Sequence, residues 1–487
     1  MPIDRRDFIA CAGIVAIGSA CCPDALLEFQ ADGFVQFRNK FKGTVILPGD
    51  PAYERARASA SFNPLTDKHP SFIARCMNAD DIMSALEFAR TRSLEVAVRA
   101  GGHDLLGASV CDGGVVIDLS QMKSILIDRE HGTARVEPGV RASDLNTATS
   151  PHGLAAVLGC HPGVGVAGLT LGGGLGWLLG RFGAACDNLV SADVISADGA
   201  QRHARAGENE DLFWALRGGG GNFGIVTSLE YQLHSVDQVL GGLIAFRGDV
   251  ASFLRFYRDF MKAAPDALAA EVSILMVDQP TILCRVCWSG DTTEGHRVLR
   301  PLREFGPPVA DAIGSVSYAH LTDGPGPEFS VRVFGPPSAV APPAGVTYDY
   351  WKGGSMEELR DHEVEQIASA IGNSSRGMSI GIGHYMHGQI CRVPVGATPL
   401  TRTSGQFTYF LDANWHNPAR AVAAMAWVDD SWSAMRHSSS GGYVNYLSSN
   451  SEESVRAAYR GNYQRLVALK RKYDPTNVFH LNRNIRP

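Results

Sequence analysis

The chain has 487 residues, 45% hydrophobic and 19% charged, with a net charge of −6. That length can bury large cores and holds two or more domains, and the acidic balance argues against a nucleic-acid surface. No apolar run is long enough to span a bilayer, and ten cysteines scattered without a framework do not describe a disulfide scaffold.

At the N-terminus, Asp4-Arg5-Arg6-Asp7-Phe8-Ile9 leads into a small apolar run ending at Gly18-Ser19-Ala20. The pattern reads as a twin-arginine export signal over 1–25, which places the protein in the periplasm or outside the cell. Asp4 departs from the usual Ser or Thr, and a frayed non-targeting helix on a cytoplasmic protein is the alternative. Cys21 offers itself for lipidation, but Gly18 is a poor match for the branched residue such a signal uses. A lead-in segment over 26–65 follows, punctuated by Pro48-Gly49-Asp50-Pro51.

From Ala79 the spacing of Ile82, Ala85, Leu86 and Ala89 predicts a helix capped near Asp80. A strand over Leu94–Arg99 then runs into Arg99-Ala100-Gly101-Gly102-His103-Asp104, closed by Gly107. Two glycines let the chain turn and bring N–H groups close to a bulky anion, with the histidine at the lip. Taken alone, this reads first as a tight turn with a surface histidine, because short glycine motifs are common. Val115–Leu119 reads as a strand, and Ser124–Asp128 with Thr133–Glu137 as a hairpin. The order is α+β rather than a regular βαβ repeat.

A second glycine cluster runs from Gly159-Cys160-His161-Pro162 through Gly163, Gly165, Gly168, Leu169, Gly172 and Gly173 to Gly176, without a charged residue. Its interleaved Val, Leu and Thr do not suit a flexible linker. Such a run implies backbone pressed against something flat or anionic. The GxGxxG inside it lacks an acidic ribose partner, so it is a weak dinucleotide signal. A third cluster, Gly218 to Gly224, follows a helix over Glu210–Arg217 and precedes a strand over Ile225–Leu233.

Beyond Gly241 apolar strands alternate with helices. Arg360–Ile371 reads as a helix, and Met378–Ile390 and Gln406–Asn414 as strands. Tyr409, Trp415, His384 and His387 are candidate pocket residues, a buried structural role being the alternative for each. Cys284 and Cys287 form a C-x-x-C, but within a strand pattern that sends them to opposite faces, which excludes a metal or redox pair. Tyr443 and Tyr446 then precede one long helix, Glu452–Lys472.

Together, Arg99–His103, the Gly163–Gly176 run, Asp211–Gly224 and Tyr473-Asp474-Pro475-Thr476-Asn477-Val478-Phe479 resemble the FAD-linked oxidases of the berberine-bridge-enzyme-like group. Their wider fold is that of vanillyl-alcohol oxidase and p-cresol methylhydroxylase. The resemblance implies an α+β architecture with a two-subdomain FAD-binding domain over 66–240. A substrate domain with an antiparallel sheet covered by helices follows over 241–440, and 441–487 returns to the FAD domain. It implies a covalent bond from His103 to the flavin 8α-methyl, for which a neutral imidazole nitrogen is a suitable nucleophile. Arg99, Ala100, Gly101, Gly102, Asp104 and Gly107, the glycines and Leu169 of the second cluster, Ile225 and Asn482 fall at cofactor-contacting positions. Many relatives add a cysteinyl bond to flavin C6. Here, aligned on the glycines, Cys160 sits one residue early and His161 takes its place. A one-residue slip in extended backbone turns a side chain to the other face, so a second link through Cys160 competes with an inert buried thiol. Tyr446 matches the family's catalytic base, with Tyr443 in reserve; its phenol must be depressed from about 10, or lose its proton in concert with hydride loss.

The resulting expectation is an FAD-dependent oxidase of a CH–OH or similar activated C–H group, acting on an alcohol, carbohydrate or secondary metabolite. Hydride passes to flavin N5 and O₂ accepts the electrons, giving H₂O₂. A dehydrogenase with another acceptor, a flavin-holding binding protein, and an NAD-dependent enzyme without flavin are the rivals.

Overall fold

The computed structural model describes residues 33–321, 326–334, 347–436 and 441–487. The expected export signal lies outside the described residues. Two compact units divide between Lys42 and Gly43. Of the first, a helix over Gly33–Lys40 is described, with Phe34, Phe37 and Phe41 in successive ring contact. Among the described residues no helix is long and apolar enough to cross a membrane.

Three sheets build the second unit. The first has four strands in the order Thr44–Ile46, Phe72–Arg75, Val115–Asp118, Val96–Arg99; its first pair is antiparallel and the rest parallel. The lead-in segment thus contributes a strand of its own. Helix Ala79–Thr91 supplies the parallel crossover, capped by Asn78, whose side chain accepts from Asp81 N; the expected cap, Asp80, is the second residue of the first turn.

The second sheet is antiparallel and centred on the long strand Ile225–Ser235, which pairs with Thr133–Val136, Leu189–Ile195 and Leu154–Ala156. Helix Glu210–Leu216 and the C-terminal helix Tyr463–Tyr473 share its apolar core through Leu212, Leu216, Leu466 and Leu469.

The third sheet has eight antiparallel strands. Its main path runs Ala310–Asp311, Gln238–Arg247, Pro280–Trp288, Leu268–Met276, Met378–Tyr385, Phe407–Trp415, Tyr348–Met356. Strict alternation sorts its two faces. Val272, Ile274, Tyr409, Leu411 and Ala413 join a core shared with helices Val250–Lys262, Asp361–Gly372 and Ala421–Met435. Glu271, Ser273, Phe410, Asp412 and Asn414, of opposite parity, line a cavity. Cys284 and Cys287 separate in the same way, into two different cores.

Two sequence expectations differ from the structure. The long helix over Glu452–Lys472 is two, Glu452–Tyr459 and Tyr463–Tyr473, broken where Arg460 takes φ +47° beside Gly461. The strand expected to reach Ile390 ends at Tyr385, and Gln389–Arg392 forms a short helix after Gly388 at φ +68°.

The C-terminal segment is sewn into the third glycine cluster. Asn222 Nδ2 donates to Gly219 O and Arg483 O, while its Oδ1 accepts from Ile485 N. Beside it Lys470 and Asp474, both fully buried, form an ion pair at 2.7 Å. Lys470 also donates to Asn222 O and Phe479 O, and Asp474 accepts from Val478 N and Phe479 N.

Candidate active site

A cavity of about 660 Å³ lies between the glycine clusters and the polar face of the eight-stranded sheet. Its glycine-rich wall comes from strand Val96–Arg99, whose end delivers Ala100–Asp104, and from the 159–169 run, with Gly220, Gly221 and Ile225 beside them. Two backbones meet there without side chains. A Cβ on Gly101 would lie 2.4 Å from Gly165 N, and one on Gly165 would lie 2.6 Å from Gly101 N. The motif's glycines are therefore needed by each other as well as by anything bound between them.

His103 lines the cavity and is half-buried. Burial, reinforced by His161 and Arg141, brings its imidazole down to about 4, so it is neutral at physiological pH. Its ring centroid lies 5.0 Å from that of His161. The one-residue offset is visible here: His161 stands beside His103, while Cys160 turns to the substrate sheet, its Sγ 3.3 Å from His384 Nε2. Burial first, then the Glu271 charge, pushes the Cys160 thiol far above its ordinary range.

Other expected cofactor residues act from behind the wall. Arg99 turns away from the cavity to donate to Ala56 O and Ala58 O, bracing the loop across Gly102. Asp104 lines the cavity, yet its carboxylate accepts from Leu106 N and Ala108 N and pairs with Arg483, tying the turn to the C-terminus. Gly107, at φ +65°, packs on Thr66. Gly163 abuts His103 and His161 without lining the cavity. Gly172, Gly173 and Gly176 do not line it either; they admit Asn445, Leu400 and the Leu158 carbonyl. Gly165, Gly168 and Leu169 do line it.

The two tyrosines part company. Tyr443 also lines the cavity, but its Oη accepts from Gly174 N and Asn445 Nδ2, both at 2.8 Å, so it clamps the glycine run. Tyr446 lines the cavity, edge-on to Trp351 at 5.4 Å and to Tyr443 at 5.1 Å. Burial, then the charge of Glu271, pushes its phenol well above the usual value. Of the two routes open to this phenol, that direction favours proton loss in concert with hydride loss over a depressed phenol.

The sheet wall holds residues that sequence reading missed: Glu271, Arg285, Asp349, Trp351, Phe410 and Asp412. Glu271 and Arg285 are cross-strand partners. Trp351 and Phe410 meet edge-on at 5.6 Å. Burial and then the adjacent Asp349 carboxyl raise Asp412 well above the carboxylate range, while Asn414 Nδ2 donates to it at 2.6 Å. The four proposed pocket residues do not line this cavity. Tyr409 and Trp415 carry the parity of the helix-covered face, where they stack on Trp432 and Tyr348. His384 sits in the wall behind Cys160, and His387 is held at the carbonyls of Tyr385 and Pro265.

The residues fit FAD. Asn482 lines the cavity, its Nδ2 donates to Gly221 O, and its buried Oδ1 has no partner among the described residues. A buried amide oxygen facing a flat apolar slot suits the N–H edge of a flavin ring.

Comparison with known proteins identifies the family. Residues 70–205 match the family model described as FAD binding domain, and 442–486 that described as berberine and berberine like. The (R)-6-hydroxynicotine oxidase of Paenarthrobacter nicotinovorans is 32% identical over 470 residues, covering 92% of this chain and 97% of that one. An FAD-linked oxidoreductase of Bacillus subtilis (strain 168), YvdP, is 29% identical, covering 91% and 98%. The crystal structure of 6-hydroxy-D-nicotine oxidase from Arthrobacter nicotinovorans superimposes with a TM-score of 0.81 at 28% identity, covering 92% of this chain and 98% of that chain. The chain is an oxidoreductase that belongs to the FAD-linked, berberine-bridge-enzyme-like family.

Proposed function

We propose that this protein oxidises a CH–OH group, or an equivalent activated C–H group beside nitrogen, of a small molecule, with FAD bonded through His103 and O₂ as the acceptor, giving H₂O₂. The observation that carries the reading is one cavity with a neutral His103 at its glycine-rich wall and Tyr446 among the residues opposite. Alcohols, carbohydrates and secondary metabolites fit its volume, and the relatives named as hydroxynicotine oxidases extend the class to nitrogen heterocycles.

Bound FAD supplies a hydride acceptor at ring nitrogen N5. His103 presents an imidazole nitrogen free of its second proton, the form needed to bond to the ring methyl. Asn482 would hold the polar edge of the ring through its Oδ1, which has no partner among the described residues. Trp351 and Phe410 wall off water on the substrate side. Tyr446 orients the substrate hydroxyl. Because its phenol is protonated, it works as a relay: its oxygen takes the substrate proton while its own proton passes to the carboxylate of Glu271, the acid acting most strongly on it. Glu271, which lines the same cavity as Tyr446 and lies within 4.8 Å of the Cys160 thiol, is the terminus of that relay. The paired Arg5-Arg6 pattern of the N-terminus supports export by the twin-arginine route.

The test is anaerobic mixing of the purified holoprotein with panels of alcohols, oligosaccharides and hydroxylated N-heterocycles, watching the flavin absorbance. Bleaching by one class, reversed by air with release of H₂O₂, is the expected result. Bleaching that air does not reverse assigns a dehydrogenase, and a flavin that no panel bleaches assigns a binding protein.

A further inference from the structure

Cys160, Glu271 and His384 come from three separate parts of the chain: the second glycine cluster and two strands of the eight-stranded sheet. Each offers one ligand atom, and the three atoms lie within 4.8 Å of one another. Sγ of Cys160 is 3.3 Å from Nε2 of His384, which is 3.5 Å from Oε1 of Glu271. A tetrahedral zinc ion, about 2.3 Å from sulfur and about 2.0 Å from nitrogen or oxygen, has ligand edges of about 3.3–3.6 Å. The 3.3 Å Sγ–Nε2 and 3.5 Å Nε2–Oε1 separations fall in that range.

The backbone is shaped to make this cluster. On the strand Met378–Tyr385, Ile380 and Ile382 face the helix-covered core, and strict alternation would send residue 384 after them. The register with the next strand shifts between Ile382 and Tyr385, and His384 instead meets Cys160 and Glu271. Such irregularities re-aim a side chain at a site. His384 N donates to Thr408 Oγ1 at 2.8 Å, which fixes the bend. Charge also balances: a thiolate, a carboxylate and a neutral imidazole neutralise one divalent cation. Arg285, across from Glu271, favours the Cys160 thiolate by its charge but repels a cation, so binding depends on the thiol losing its proton to supply the second negative ligand.

We propose that Cys160, Glu271 and His384 form a three-ligand site for a divalent zinc-like cation in the wall of the catalytic cavity, its fourth position open to that cavity, and that the ion inhibits turnover. Binding transfers the Cys160 thiol proton to solvent and takes the Glu271 carboxylate away from Tyr446. The binding claim does not depend on the substrate class; the inhibition rests on the proposed relay.

The probe is Co²⁺ alone, added to chelator-treated, flavin-loaded full-length protein. The expected result is one bound ion per chain by elemental analysis, with tetrahedral d–d absorption to the red of the flavin bands. Those bands are lost in Cys160→Ser and again in His384→Gln, while each variant keeps the wild-type flavin spectrum. His384→Gln serves if the cysteine variant does not fold. Weak octahedral absorption, bands that persist in either variant, or a flavin found bonded to Cys160 would overturn the site. A tetrahedral spectrum with unchanged flavin reduction would overturn the inhibition alone.

Discussion

Replacing Lys470 with methionine tests how the C-terminal segment holds the cofactor wall together. The ammonium is fully buried, pairs with Asp474 at 2.7 Å, and donates to the carbonyls of Asn222 and Phe479 at 3.0 and 2.9 Å. Methionine fills nearly the same volume, so the cavity term is small. What remains is an unpaired carboxylate at a site without solvent, a cost of about 3–5 kcal/mol. With an unfolding entropy of roughly 2.1 cal/mol/K per residue, a unit as long as Gly43–Pro487 loses about 1 °C of melting temperature per kcal/mol. The expected shift is about 3–5 °C by differential scanning fluorimetry. Lys470→Met/Asp474→Asn removes both charges but keeps only one of the two oxygens that accept from Val478 N and Phe479 N, so it should recover part of the loss and not all of it. A single variant within 1 °C of wild type (about 1 kcal/mol), or a double variant worse than the single, would refute the reasoning.

Tyr446→Phe should slow anaerobic flavin reduction by about 10²–10⁴-fold, the usual worth of a proton-transfer group, and leave flavin content unchanged; a loss below tenfold would remove Tyr446 from the chemistry. Gly101→Ala drives a methyl to 2.4 Å from the Gly165 amide nitrogen, backbone that cannot yield, so the variant should purify with far less FAD per chain by absorbance. His103 has its pKa lowered to about 4 in the fold, against an ordinary value of 6.5. The unfolded chain therefore binds more protons between these values, and the histidine's share of stability is present above pH 6.5 and lost as pH falls toward 4. Urea midpoints of flavin-free protein should follow that window, and His103→Ala should flatten that part of the profile.

Local chemistry was legible in the sequence and long-range pairing was not. The turn at Gly101–His103 announces itself because glycine spacing and a preceding strand are neighbours in the chain. The opposite wall is assembled by register: Asp349 pairs with Asn414, Trp351 with Asp412 and Glu271 with Arg285, partners separated by loops of any length. Parity alone would have chosen Phe410 and Asp412 over Tyr409 and Trp415, but only once the covered face is known. The glycine run misled in part, since Gly172, Gly173 and Gly176 receive side chains and a carbonyl of the protein itself. Arg460 and Gly461 interrupt an apolar pattern that reads as one continuous helix, and a left-handed φ at Arg460 leaves no mark in periodicity.

The central claim is a flavin bonded to a neutral histidine at the glycine-rich wall. Its most direct measurement is acid precipitation of the purified protein, digestion, and mass analysis of the yellow peptides. The account predicts flavin on the peptide containing His103 and none on that containing Cys160. Flavin that washes away entirely on precipitation, or flavin joined to Cys160, would contradict it.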